Sequence, residues 1–359
     1  MAKSYHDAIK SKVLFRKNII IWFNENKRLL PWRIKLDKTN YPYRVMVSEF
    51  MLQQTVVKTA IPYFNKFIKK WPSLESLAKA KEDEILLYWQ GLGYYSRAKN
   101  LLKSSKLIVQ KYNGFIPSSS SELIKLPGIG PYASAAITAI AFNKPSIVID
   151  GNIKRVIARY CGIKGTLDEN IKLITFFASK FASKKDNEKY SQGLMEIGAL
   201  ICRPKNPLCN KCIIRNHCHS YLKKLQNSIP LPKKRNPKKD LYCASFIVLK
   251  DGKYILLYKR NKKILQNQWE LPSTDWLNKE PVIGEDLIPI KNLNWQKSNT
   301  LDHHIFSHID LKTRLYFSKI DSRNNISNSN SLKWVALTDF KEYPSTLMCK
   351  RALRKYELI

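Results

Sequence analysis

The sequence predicts a mainly α-helical domain over residues 1–225, a basic linker at 226–240, and a smaller α+β domain over 241–359. Three observations carry this division: the length of the chain, a change in the period of its apolar residues, and a run of proline and lysine between the two parts. At 359 residues the chain exceeds one ordinary core, and its 44% hydrophobic content suffices for two. In the first part apolar residues recur at spacings of three and four, as in Val47, Phe50 and Met51 and again in Leu194, Ile197 and Ile201, which is helical periodicity. From Leu241 the period changes. Residues 241–249 are β-rich, Asp251-Gly252 makes a hairpin turn, and Tyr254–Tyr258 returns as a strand. Further strands are expected at 305–317 and 331–336, with a closing helix near 345–356. The segment Ser228–Lys239 has the composition of a stiffened, solvated linker, and Asn324–Ser331 that of an exposed polar loop.

Composition narrows the function classes. Lys plus Arg number 63 against 28 Asp plus Glu, a formal charge of +35, which favours a polyanionic partner such as nucleic acid. Abundant Lys, Asn and Ile also mark the codon bias of an AT-rich genome, so charge alone is a weak witness. No apolar signal core opens the chain, and no stretch approaches the roughly 20 apolar residues of a membrane span. A soluble cytoplasmic protein is expected, associated with the nucleoid through DNA and without a membrane partner.

The segment Leu126-Pro-Gly-Ile-Gly-Pro-Tyr132 joins two helical stretches. Gly128 and Gly130 permit a tight turn, and Pro131 suits the first position of the following helix. Such a turn aims backbone N–H groups outward, where a phosphate can dock. Some twenty residues on, Ile147-Val-Ile-Asp-Gly-Asn152 places Asp150 as a helix N-cap. Capping keeps a carboxylate ionised at a helix N-terminus, which catalysis can also use.

Glu49 is the only charged residue between Val45 and Val57. A carboxyl among apolar neighbours has a raised pKa and is held protonated near neutrality. Cleavage of a purine N-glycosidic bond needs such an acid to protonate the base. It also needs a second, ionised carboxylate to stabilise the oxocarbenium-like sugar. Glu49 and Asp150 fit the two roles.

Of the seven cysteines, Cys202, Cys209, Cys212 and Cys218 cluster in one loop, whereas Cys161, Cys243 and Cys349 are scattered. Four thiolates suit tetrahedral zinc or an iron–sulfur cubane. Only one spacer is a short Cys-x-x-Cys knuckle, and Pro204 and Pro207 hold the first spacer in a loop, so the spacing favours the cubane.

With these motifs together the chain resembles the endonuclease III superfamily of DNA glycosylases, in which the hairpin is a helix–hairpin–helix and the cysteine loop at 202–218 holds a [4Fe–4S] cluster. Leu30-Pro-Trp-Arg33, Ser48-Glu-Phe-Met-Leu-Gln-Gln-Thr55 and Gly91-Leu-Gly-Tyr-Tyr-Ser-Arg97 are further similar to its MutY branch of adenine glycosylases. That resemblance implies a monofunctional, monomeric enzyme of base excision repair that acts on adenine opposite 8-oxoguanine or guanine in double-stranded DNA. It implies Glu49 as acid, Asp150 as electrostatic stabiliser and Tyr132 as an aid at the sugar. Tyr132 stands where strand-cleaving relatives carry a lysine, which speaks against a glycosylase/lyase acting on oxidised pyrimidines. Trp32, Arg33, Leu52 and Gln192 are implied in the adenine pocket; Gln54, Thr55, Leu92 and Tyr94 lie near the opposite base. Gly128 and Gly130 are implied on the DNA backbone.

The C-terminal part resembles the Nudix-like recognition domain of the same family. After Trp269-Glu-Leu-Pro272 the paired glutamates of a working Nudix hydrolase are missing, so nucleotide hydrolysis is not expected. The run His303-His-Ile-Phe-Ser-His308 is similar to the family's segment that inspects oxidised guanine, which implies Phe306, Ser307 and His308 as binding residues. Strand alternation predicts His304, Phe306 and His308 on one face and Ser307 on the other.

Overall fold

A computed structural model of the chain describes residues 2–35, 40–183, 185–233, 236–284, 289–290, 293–321, 329 and 331–359. The chain divides into two compact units, one formed by 1–80 with 96–234 and the other by 81–95 with 235–359. Residues 81–95 thus leave the helical part in which the sequence places them. Among the described residues no helix is long and apolar enough to cross a membrane.

The first unit is helical throughout. Its central helix, Asn40–Leu52, is buried from Tyr41 to Met51, as expected of a helix enclosed on every side. Against it packs Pro131–Phe142, whose Ala133, Ala135, Ala136 and Ala139 let the two backbones approach closely. Pro131 opens that helix and Asn143, in the left-handed region, closes it. Gly151–Cys161 follows, capped by Asp150. The helix Asn187–Glu196 runs on into a π-helical turn, Ile197–Ile201, which delivers the chain to Cys202. The predicted solvated linker is pinned at its start: Ile229 is buried, its carbonyl accepts from Arg159 Nε at 2.8 Å, and Leu231 bridges Thr166.

The second unit is a mixed sheet of β1 (Lys239–Lys250), β2 (Tyr254–Lys259), β3 (Trp269–Glu270), β4 (Gln296–Lys297), β5 (Asp302–Ile305), β6 (Ile309–Ile320) and β7 (Leu332–Ala336). Its order is β3-β2-β1-β6-β4, with β5 also on β6 and β7 also on β2. β1 and β6 run parallel along their full length, from Lys239↔Ile309 to Lys250↔Ile320. β1 is buried without a break from Cys243 to Leu249, because apolar groups cover both of its faces. Ile247 and Leu249 face the closing helix Leu347–Lys355 through Leu353, while Phe246 and Val248 pack on Tyr316 and Ile320 on the other side. The turn after β1 has Asp251 and Gly252 both at positive φ, the hairpin chemistry that the dipeptide predicts. The helix Glu82–Trp89 belongs to this unit through Lys259 Nζ on Asp83 at 3.0 Å and Asn267 Nδ2 on Glu82 at 2.5 Å. The polar run 324–331 lies almost wholly outside the described residues.

Candidate active site

Enclosure of the helix Asn40–Leu52 takes the Glu49 carboxyl out of water. Glu49 is 4% exposed, and its Oε2 has no hydrogen-bond partner among the described residues. Burial pushes its pKa up to about 7; the Tyr132 hydroxyl opposes this and the Asp150 charge adds to it. Asp150 accepts from Ile153 N at 2.6 Å through Oδ1 and from Asn152 Nδ2 at 3.1 Å through Oδ2. Burial raises its carboxyl too, but these bonds and Arg155 work against the rise. Donors at a helix N-terminus favour the anion, and Glu49 Oε2 has none, so a shared proton goes to Glu49 first. The Tyr132 phenol, on a half-buried residue, is driven far above its usual range, chiefly by desolvation, and stays a neutral donor. Its hydroxyl lies 4.0 Å from Met195 Sδ.

Asp150 is also tied to the cysteine loop. Asn152 Oδ1 accepts from Arg155 Nη2 at 2.9 Å, and Arg155 Nε donates to the Cys202 carbonyl at 2.8 Å.

One cavity of about 180 Å³ collects Glu49, Asp150 and Tyr132 with Trp32, Arg33, Leu52, Thr55 and Gln192. Trp32 is buried and stands edge-on to Phe64, with ring centroids 5.4 Å apart. Arg33 Nε donates to Gln192 Oε1 at 2.6 Å. Gln54 does not line this cavity; it is exposed at a left-handed position just past the central helix. Sequence reasoning missed Arg28, Asn152 and Glu196, which also line it. A signal for Glu196 existed, since it follows Gln192 by four residues and shares its helix face. Arg97 was missed as well. It gathers the carbonyls of Phe50, Met51 and Gln53 at 2.5–3.0 Å and donates to Thr55 Oγ1 at 3.2 Å, satisfying the C-terminal end of the helix that bears Glu49.

The two hairpin glycines serve different ends. At Gly128 φ is +78°, and a Cβ would meet Asn100 Cβ at 2.6 Å and Phe50 Cε1 at 2.8 Å, so only glycine fits. At Gly130, the N-cap of Pro131–Phe142, a Cβ would meet nothing within 4 Å. The first glycine lets the turn close, and the second leaves open space beside a helix N-terminus.

Cys202, Cys209, Cys212 and Cys218 line one cavity with Arg159, Ile214 and Tyr221. Among the described residues no three His, Cys, Asp or Glu side chains converge closely enough for one metal ion. Zinc draws its thiolates to about 2.3 Å from one point, whereas a cubane holds each cysteine at a separate corner. Four cysteines around one cavity are a donor set that an iron–sulfur cluster can use. Arg159 Nη1 lies 3.3 Å from Cys202 Sγ and donates to the Arg203 carbonyl at 2.7 Å, so the loop is held from inside the unit.

In the second unit, Phe306, Ser307 and His308 form the tip of the β5–β6 hairpin and not part of a strand. Pairing ends at Ile305↔Asp310, and Phe306 N donates to the Ile309 carbonyl at 2.8 Å. The expected alternation of faces therefore stops at Ile305. Phe306 packs on Trp276 and His304, with ring centroids at 5.3 and 4.6 Å, while Ser307 and His308 are exposed. Ser307 Oγ shares a 2.6 Å hydrogen bond with Tyr94 OH. Tyr94 is 45% exposed at φ +48°, whereas Leu92 is buried, so of these two only Tyr94 is presented at the surface.

Residues 47–178 match the model of the HhH-GPD superfamily of base excision DNA repair proteins, and 244–355 match that of the NUDIX domain. The chain is 37% identical to the adenine DNA glycosylase of Buchnera aphidicola subsp. Baizongia pistaciae, over 91% of this chain and 92% of that one. It is 29% identical to the adenine DNA glycosylase of Rattus norvegicus, over 96% and 78% of the two. Among solved structures, a thermostable thymine-DNA glycosylase aligns with a TM-score of 0.53 and 29% identity, over 60% of this chain and 98% of that one.

Proposed function

Because the chain belongs to the adenine DNA glycosylases of base excision repair, we propose that it binds double-stranded DNA as a monomer and releases adenine that stands opposite 8-oxoguanine or guanine. The observation that carries this reading is Glu49, a buried carboxyl with an unpartnered oxygen, facing a base-sized cavity beside the capped Asp150. Glu49 gives its proton to a ring nitrogen of the extruded adenine. The bond from C1′ to the base then breaks, and its electron pair leaves with the base. The cationic sugar forms beside the Asp150 carboxylate, and a water adds at C1′ as it loses its proton. Tyr132 meets the sugar as a neutral donor. With tyrosine two residues after Gly130, no amine is placed there to form a Schiff base, so the abasic product remains uncut.

The hairpin at Gly128 and Gly130 docks a DNA phosphate. Cys202, Cys209, Cys212 and Cys218 hold a [4Fe–4S] cluster, which when bound cross-links the loop 202–218 and takes no part in the bond cleavage. Phe306, Ser307 and His308 read the oxidised base, helped by Tyr94.

The reading is tested with end-labelled duplexes that carry adenine opposite 8-oxoguanine, guanine or thymine. Adenine release is expected from the first two, with strand scission only after alkali and with no borohydride-trapped complex. Absence of release from every duplex sinks the proposal, and high-yield trapping sinks its monofunctional part.

A further inference from the structure

Glu196 is 1% exposed and lies one helical turn beyond Gln192. Its Oε2 receives Arg28 Nε and its Oε1 faces Arg33 Nη2, each at 2.8 Å. Arg33 is held at all three of its nitrogens: Nη2 is ion-paired with Glu196, while Nη1 donates to the Arg28 carbonyl at 3.0 Å and Nε to Gln192 Oε1 at 2.6 Å. A guanidinium carries donors and no acceptor, so the Gln192 atom that meets it has to be the amide oxygen. A flipped amide would set two donors face to face in a buried site. Arg33 is the only partner of the Gln192 side chain among the described residues, and Gln192 lines the cavity that holds Glu49. Its NH₂ is therefore left for whatever enters.

We propose that Glu196 is a positioning residue which, through Arg28 and Arg33, holds Gln192 as a hydrogen-bond donor toward the base. The group that Gln192 meets on adenine is then an acceptor ring nitrogen and not the 6-amino group. This rests on the functional reading above, and the two can fail separately. A buried donor discriminates by leaving itself unpaired against the wrong edge, at a cost of roughly tenfold or more in rate. Selectivity of this kind needs a fixed amide, and a free glutamine could turn either end to the ligand. The buried Glu196 charge supplies the restraint.

The experiment compares adenine with purine lacking the 6-amino group, each opposite 8-oxoguanine. Single-turnover release is read for the active proteins, and duplex affinity is read in the inert Glu49→Gln background. Gln192→Ala should lower both readouts by the same factor, roughly tenfold, for the two bases. In Gln192→Glu the side chain offers only acceptors, so adenine should gain over the unsubstituted purine. Glu196→Gln should shrink the effect of Gln192→Ala to less than about threefold, and Glu196→Asp, which keeps the charge, should restore most of it. A Gln192→Ala loss seen for adenine and absent for the unsubstituted purine overturns the donor assignment. An undiminished Gln192→Ala effect in Glu196→Gln overturns the positioning role. Failure of the wild-type protein to release adenine sinks the underlying reading instead.

Discussion

Glu49 and Glu270 are buried alike, at 4% and 5% exposure, yet the two units treat them in opposite ways. In the sheet unit Glu270 lies 2.8 Å from Arg260 Nη1, and Arg260 is itself held by the Ile264 carbonyl at 2.7 Å and by the face of Trp276. In the helical unit, among the described residues, Glu49 has no cation against it and one of its oxygens has no partner. Burial raises both carboxyls, but Arg260 opposes the rise at Glu270 whereas the Asp150 charge reinforces it at Glu49. A cation beside a buried carboxylate favours its anion. An unpaired carboxylate trades proton affinity against stability, and the traded proton becomes available for chemistry. The same residue type is thus paired in one unit and left short of a partner, among the described residues, in the other.

Removing the acid should break the comparison most sharply. Glu49→Gln keeps the shape and loses the proton, so single-turnover adenine release should fall roughly 10²- to 10⁴-fold while duplex affinity stays near wild type. Near-normal turnover in that variant would show that the raised proton affinity of Glu49 serves no chemistry.

Arg260→Met should turn the second carboxylate into a likeness of the first. An uncompensated buried charge typically costs about 3–5 kcal/mol. Thermal unfolding should therefore show the sheet unit markedly destabilised at pH 8, with partial recovery as Glu270 is protonated in acid. Unfolding unchanged at both pH values would mean that the pair contributes nothing.

The pH dependence sharpens the contrast further. Folded Glu49 keeps its proton up to about pH 7, while unfolded it releases it near the ordinary value of 4.5. The folded state binds more protons between those values, so stability falls as pH rises through that window. At roughly 1.4 kcal/mol per unit, Glu49→Gln should gain a few kcal/mol over wild type at pH 8 and little at pH 4. Wild-type release should also decline, about tenfold per unit, as pH rises above 7. Parallel stability curves for the two proteins in chemical denaturation would overturn the raised pKa.

The smallest effect concerns the hairpin tip. Changing Phe306 and Ser307 together to Ala removes the packing on Trp276 and the bond to Tyr94. Preference for adenine opposite 8-oxoguanine over guanine should drop by roughly tenfold at fixed salt, one good hydrogen bond being worth about 1 kcal/mol or more. Deleting 241–359 is a poorer test, because the helix Glu82–Trp89 would lose the unit it packs in. Intact discrimination in the double variant would move lesion reading away from this tip.

Much of the candidate site was legible because its signals are local. Glu49 stands alone among apolar residues, Asp150 precedes a helix, and the two hairpin glycines sit two apart; each follows from neighbours in the chain. Spacing placed the four cysteines in one loop by the same logic. The structure decided what depends on residues distant in sequence. Arg28, Arg33, Gln192 and Glu196 form one network only because the chain turns back between Arg33 and Gln192. Periodicity reads a helix but not its owner, so Glu82–Trp89 could not be assigned to the sheet unit before Asp83 met Lys259. Alternation could not see that the β5–β6 ladder ends at Ile305, because a hairpin's tip is set by the partner strand's register. The sequence by itself determined which groups can donate, accept or hold a proton. Only the tertiary structure decided which of them lost water without gaining a partner, since desolvation is a property of the surroundings and not of the residue.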